Sequence, residues 1–239
     1  MPRAVAYCCA TLNSVIVIPA LNEAETIGRV VGSLIAFGRP IVVDDGSTDA
    51  TGALAESAGA LVVRHPSNRG YDAALQSGFE KAEALGADIV VTFDADGQHQ
   101  PTAVPSLLAI LLSGEADLVI GERPAAARTA EYLFNQYARW RHGVPDILCG
   151  LKGYNTALYR KHGCFDRYRL IGTELASASL AAGARHRLIN VPVSQRSGAP
   201  RFGRRLRANA RILRALAITV WFDLVGWRHA RSPSWTDRA

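Results

Sequence analysis

The sequence predicts an α/β fold built on a largely parallel sheet. Short β-branched runs alternate with stretches of helical periodicity through the first half of the chain, the order that produces right-handed β-α-β crossovers. Polar, carboxylate-rich segments directly follow the apolar runs, where open α/β sheets bind ligands. With 49% apolar residues in 239, the chain has ample material for a core, which excludes disordered and fibrous classes.

In order, the first strand covers residues 15–18 and runs into Pro19-Ala20-Leu21-Asn22-Glu23, ahead of a helix over 23–37. The second covers 41–43 and ends in Asp44-Asp45-Gly46-Ser47-Thr48-Asp49, ahead of a helix over 49–57. The third, 61–63, leads to Asn68-Arg69-Gly70 and a helix over 71–85; the fourth, 89–93, leads to Asp94-Ala95-Asp96-Gly97-Gln98 and a helix over 102–112. The fifth covers 118–120. Asn22 with Glu23, and the 45–49 turn, also read as helix caps and first-turn carboxylates, a role compatible with ligand binding. Four loops are expected to converge on one crevice.

Asp94 and Asp96 carry the sharpest chemical signal. Residues at i and i+2 of an extended segment point the same way, and two carboxylates so close raise each other's pKa unless a cation sits between them. The amide oxygen of Gln98 follows at the same spacing. Hard oxygen donors in this number suit Mg2+ or Mn2+, with positions left open for phosphates. A cap for the helix near Thr102, or a simple turn, is the alternative for an isolated D-x-D. Asp45 ends an apolar strand, where a carboxylate can accept hydrogen bonds from a nucleobase or ribose.

The net charge of +6 comes almost wholly from arginine, lysine occurring only at Lys81, Lys152 and Lys161, and it favours an anionic partner. Cys8, Cys9, Cys149 and Cys164 show no C-x-x-C spacing and read as reduced thiols in a cytosolic setting. The apolar run over 4–10 is too short for an export signal, and the stretch 215–222 is far below the roughly 20 residues of a spanning helix. The expected localisation is cytoplasmic, with peripheral attachment to the cytoplasmic face of the inner or plasma membrane as an extension.

PALNE, VVDDGSTD, N-x-G and FDADGQH, in that order and at these intervals, resemble the nucleotide-binding half of family 2 inverting glycosyltransferases, especially the dolichyl-phosphate mannose synthase-like branch. The resemblance is close over 15–123 and looser beyond. It implies a glycosyltransferase A-type fold, a mostly parallel doubly wound sheet with helices on both faces. It also implies one domain over 14–225, divided into a nucleotide-sugar-binding half (14–123) and an acceptor half (124–225), with a tail over 226–239. By the same resemblance Pro19, Leu21 and Glu23 line the nucleoside pocket, Val43 and Asp45 hold base and ribose, and Gly70 belongs to the same donor site. Asp94, Ala95 and Asp96 bridge nucleotide and metal, Gln98 completes the metal set, and Arg123 is a basic residue near the donor. Leu21 departs from the tyrosine frequent in the lipid-phosphate enzymes.

Further along, Lys152 lies in a segment that in the family lines the acceptor side, and Glu174 occupies the position of an acidic residue that serves as catalytic base. Arg196-Ser197-Gly198-Ala199-Pro200-Arg201-Phe202-Gly203 resembles the R-x-G-x-S-K loop that closes over diphosphate, with Arg201 near the usual lysine. No acidic residue occurs from Leu175 to Phe222. Arg204, Arg207, Arg211 and Arg214 recur at helical spacing, with Leu206, Ala210, Leu213, Ala217, Val220 and Leu224 on another face. Such a helix suits an anionic bilayer surface or packs on its own domain.

The expected activity is metal-dependent, inverting transfer of a sugar from a nucleotide-diphosphate sugar to a polyprenyl phosphate or an envelope glycan, with Asp96 and Glu174 as catalytic residues. Two other classes compete. A haloacid-dehalogenase-like phosphatase would use the Asp94–Asp96 pair, although that motif normally opens its fold on the first strand. A non-catalytic nucleotide-binding protein would share the donor loops. Nucleic acid is not an expected partner, because the carboxylate-rich crevice repels a phosphate backbone and no binding motif is present.

Overall fold

The computed structural model describes residues 13–97, 100–124, 129–192 and 205–227. Seven strands, β1 (Ser14–Ala20), β2 (Arg39–Asp44), β3 (Leu61–Arg64), β4 (Ile89–Thr92), β5 (Leu118–Glu122), β6 (Lys152–Asn155) and β7 (His186–Asn190), form one sheet in the order β3-β2-β1-β4-β6-β5-β7. β1 pairs in parallel with β2 and β4, β2 with β3, and β5 with β7. β6 runs antiparallel between β4 and β5. The sheet is largely parallel as expected, made mixed by the reversed β6, and β6 and β7 are strands the sequence did not signal. The reason they escape sequence reading is composition: K-G-Y-N and H-R-L-I-N carry little β-branched character.

Helices cover both faces. On one side α1 (Ile27–Leu34), α2 (Thr51–Ser57) and α4 (Val104–Leu112) pack on Ile16, Ile18, Val42, Val91 and Val119. On the other, α3 (Tyr71–Ala84), α5 (Thr129–His142), α6 (Thr156–His162), α7 (Glu174–Ala181) and α8 (Arg205–Val225) enclose Val15, Val17, Val43, Val90, Leu118 and Tyr154. Alternate residues of each central strand therefore enter different cores, which is why β1 reads as a continuous apolar run rather than an alternating one.

α1 begins at Ile27, not near Glu23, because the Glu23 carbonyl accepts the amides of Thr26 and Ile27 in a tight turn that leaves residues 21–24 beyond the carboxyl end of β1. α8 packs through Ile212, Ala215 and Thr219, while Leu213, Trp221 and Leu224 face outward, with Trp221 62% and Leu224 79% exposed. Its C-terminal end is fastened to α5, where Asp223 accepts from the Tyr137 hydroxyl at 2.8 Å and meets His142 Nε2 at 3.0 Å. No helix among the described residues is long and apolar enough to cross a membrane.

Candidate nucleotide and metal crevice

The parallel pairing of β1, β2 and β4 sends their carboxyl ends the same way. The loop after β1 is stitched to the loop after β2. Asn22, at φ +54, accepts the Thr48 amide at 2.9 Å, while its own amide donates to Ser47 Oγ at 3.0 Å. The Glu23 amide donates to Thr51 Oγ1 at 2.8 Å and the Asp45 amide to the Ala20 carbonyl at 2.9 Å. Asp44 accepts the Ser47 amide at 3.0 Å. Much of the D-G-S-T-D motif therefore builds one rim of the crevice, on which Pro19, Leu21 and Glu23 are partly exposed.

Asp45 is buried and turned toward the loop after β3. Its Oδ1 accepts the Arg69 amide at 2.9 Å and meets His65 Nδ1 at 2.6 Å, and its Oδ2 accepts the Gly70 amide at 2.8 Å. Two oxygens offer about four acceptor sites, so Oδ2 retains capacity for one more donor. His65, whose Nε2 lies 2.9 Å from Ser77 Oγ, was not legible as a site residue. A lone histidine after a strand carries no signal until its partner is known. Val43 lies in the core, so it can reach a nucleoside only through its main chain.

Gly70, at φ +97, starts α3 in a conformation closed to most side chains, and the next residue, Tyr71, donates its hydroxyl to Asp94 Oδ1 at 3.2 Å. Asp45 and Asp94 are thereby joined through two consecutive residues. Asp94 and Asp96 are half-buried just beyond β4, with Ala95 buried between them. Half-desolvated carboxylates with hard oxygens and hydrogen-bond support suit Mg2+ or Mn2+. Gln98, Arg196 and Arg201 lie outside the described residues.

Three further residues expected at the site are bonded within the chain. Arg123 is committed to Asp146, with Nε 2.7 Å from Oδ2 and Nη2 2.9 Å from Oδ1, and the Asp146 hydrogen bond raises its pKa further. Lys152 is a strand residue 3% exposed; its Nζ donates to the Cys149 carbonyl at 2.6 Å and the Gly172 carbonyl at 3.4 Å, and burial lowers its pKa. Glu174 is 0% exposed. Its Oε2 accepts the Arg167 and Tyr168 amides at 2.6 and 2.9 Å, while Oε1 meets His162 Nε2 at 3.1 Å. Burial alone would raise its pKa, but these hydrogen bonds outweigh burial and lower it. An enclosed carboxylate with strong donors on both oxygens is a poor proton acceptor, and Glu174 braces the 162–168 turn.

A second carboxylate pair had no sequence signal, its members being far apart in the chain. Asp72 and Asp166 both accept the Gly172 amide, at 2.8 and 2.9 Å. Burial raises both, and the Asp72 charge raises Asp166 further. Together with Arg69, Arg167, Arg169 and Gln76 they line a cavity of about 400 Å³ beside α3.

A family model described as glycosyl transferase family 2 matches residues 15–171. A UDP-N-acetylglucosamine–dolichyl-phosphate N-acetylglucosaminyltransferase of Methanococcus voltae is 33% identical over 127 residues, 45% of this chain and 51% of that one. The polyprenol monophosphomannose synthase of Mycolicibacterium smegmatis is 32% identical over 173 residues, 63% of this chain and 64% of that one. The chain thus spans about half to two thirds of the length of these curated relatives. Among solved structures, glucosyl-3-phosphoglycerate synthase from Mycobacterium tuberculosis in complex with Mn2+, uridine diphosphate and glucosyl-3-phosphoglycerate superposes with a TM-score of 0.70. The two are 25% identical, over 90% of this chain and 80% of that one. The fold, the converging strand ends and the family match together identify the chain as a glycosyltransferase of family 2.

Proposed function

We propose that the protein transfers a sugar, with inversion, from a nucleoside diphosphate donor to a polyprenyl phosphate, using Mg2+ or Mn2+. The observation that supports this reading is the connected line from Asp45 through Gly70 and Tyr71 to Asp94, which ties together the two carboxylates that would serve nucleoside and metal. A divalent ion held by Asp94, Asp96 and Gln98 would neutralise the charge that develops on the departing diphosphate. Asp45 would orient the nucleoside, and the partly exposed Pro19, Leu21 and Glu23 would line its pocket.

Glu174 bears on the acceptor. A sugar hydroxyl must shed a proton as it attacks, whereas a phosphate monoester, with a second pKa of roughly 6, is already an anionic nucleophile. The enclosure of Glu174 therefore favours the lipid phosphate over an envelope glycan. The arginines beside α3 provide positive charge for such an acceptor. Tyr132, Leu133 and Trp140 on α5, with Leu213, Trp221, Leu224 and Val225 on α8, supply most of the exposed large apolar side chains among the described residues. Arg139, Arg141, Arg211 and Arg214 lie among them. That surface suits peripheral attachment to an anionic, cytoplasmic membrane face.

The test is a transfer assay with undecaprenyl phosphate and labelled uridine or guanosine diphosphate sugars, with Mn2+ or with chelator. The expected result is metal-dependent movement of label into a solvent-extractable, acid-labile lipid. Label appearing only as free sugar, or phosphate release from an aryl phosphate, would overturn the reading in favour of hydrolysis.

A further inference from the structure

We infer that Tyr71 is a positioning residue for the metal site, fixing Asp94 from one side while Gly150 walls it from the other; the inference rests on the metal-dependent reading above. The wall follows from strand register. β6 pairs antiparallel with β4, Thr92 opposite Lys152 and Val91 opposite Gly153. Continuing that register past the strand end sets Gly150 opposite Asp94. Thr92 locks this approach: its Oγ1 donates to the Gly150 carbonyl at 2.6 Å and accepts the Lys152 amide at 3.2 Å. The contact is so close that a Cβ on Gly150 would lie 2.0 Å from Asp94 Oδ2 and 2.6 Å from its carboxyl carbon. Only glycine lets the carboxylate stand where it does.

Tyr71 acts on the other oxygen. Its hydroxyl donates to Asp94 Oδ1 at 3.2 Å, and its position is fixed at both ends. The preceding Gly70 amide is bonded to Asp45 Oδ2 at 2.8 Å. On the ring, a Cβ on Gly172 would lie 3.0 Å from Tyr71 Cε1, so the main chain of the 166–174 turn abuts it. That turn is in turn held by Asp72 and Asp166. The hydroxyl therefore has little freedom to leave Asp94, and it removes one rotational choice from a carboxylate that must present a defined lone pair to a cation. Hydrogen bonds to metal-ligating carboxylates orient them and are typically worth 10- to 100-fold in metal affinity. Neither Tyr71 nor Gly150 touches the reacting atoms in this account; both act through Asp94.

The experiment measures Mn2+ binding to the whole chain by the electron paramagnetic resonance signal of free Mn2+, with no sugar donor present. Tyr71→Phe keeps the ring and removes the hydroxyl. Its Mn2+ affinity should fall about tenfold, with the unfolding temperature unchanged, and excess Mn2+ should restore kcat while the Mn2+ concentration for half-maximal rate rises. In an Asp94→Asn background the same substitution should cost nothing further, because the two effects share one path. Gly150→Ala should lose Mn2+ binding more severely and resist rescue by excess metal. Wild-type binding with Tyr71→Phe within twofold of it would overturn the inference. Failure of the wild-type chain to bind Mn2+ at all would overturn the metal-dependent reading instead.

Discussion

The two sides of the crevice use charged residues in opposite ways. On the donor side, the loops after β1 and β4 keep Asn22, Glu23, Asp94 and Asp96 at least partly open to solvent, and main-chain amides define the rim. On the far side, Asp146, Lys152, Asp166 and Glu174 are buried and bonded within the chain. The difference teaches that exposure separates charged residues a ligand can reach from those that hold the chain together, with Asp45, buried but on the donor side, between the two. Donor-side charges should therefore report on turnover and far-side charges on stability.

The strongest way to break this division is Asp96→Ala, which should lower sugar transfer at least about a thousandfold, since a Lewis acid site is worth several kcal/mol of transition-state stabilisation. Its thermal unfolding should match the wild type; parallel losses of both would put Asp96 in the far-side class. Next, Glu174→Gln should cost about 3 kcal/mol in chemical denaturation, because it unmakes a buried charge-assisted network. A variant as stable as the wild type, but with a pH-rate profile that has lost its acid-side limb, would make Glu174 the catalytic base.

Arg123→Lys keeps the charge but loses the two-pronged contact with Asp146, and should cost about 2 kcal/mol. Urea unfolding measures it, and an unchanged midpoint would show that the pair contributes nothing net. The smallest effect expected is one of pH. Burial and the Asp72 charge raise the folded-state pKa of Asp166, so the folded chain holds that proton more tightly than the unfolded one. The stabilisation is complete below about pH 4 and fades as pH rises through the raised value. Asp166→Asn carries no titrating proton, so its unfolding temperature should change less between pH 5 and 8 than that of the wild type. Equal slopes would mean that Asp166 does not hold its proton more tightly in the folded chain.

Sequence reading reached the donor side because its signals are local. Apolar runs, turn residues and carboxylates within a few positions of each other mark strand ends, and all five strands expected from composition are present. The partners of Asp45 already depend on distance, since His65 and Gly70 come from the next strand and helix. On the far side almost everything does. Lys152 looks like an exposed loop lysine because nothing nearby in the chain says that β6 is threaded into the sheet interior. Glu174 was assigned by family position, and only the packing of residues 162–168 around it reveals its enclosure. The orientation of α8 is out of reach for the same reason: periodicity finds apolar faces, but not which one the domain uses.

The threading of β6 has an implication for how the molecule matures. A slip of one position along β4 would present Cys149 or Leu151 to Asp94 in place of Gly150, inverting which side of the sheet each β6 residue faces. Such a chain could remain compact while its carboxylate was displaced. Correct insertion of a four-residue strand and competence to hold a cation would then be one event, and the fraction of refolded molecules able to bind Mn2+ would count the chains that aligned it correctly.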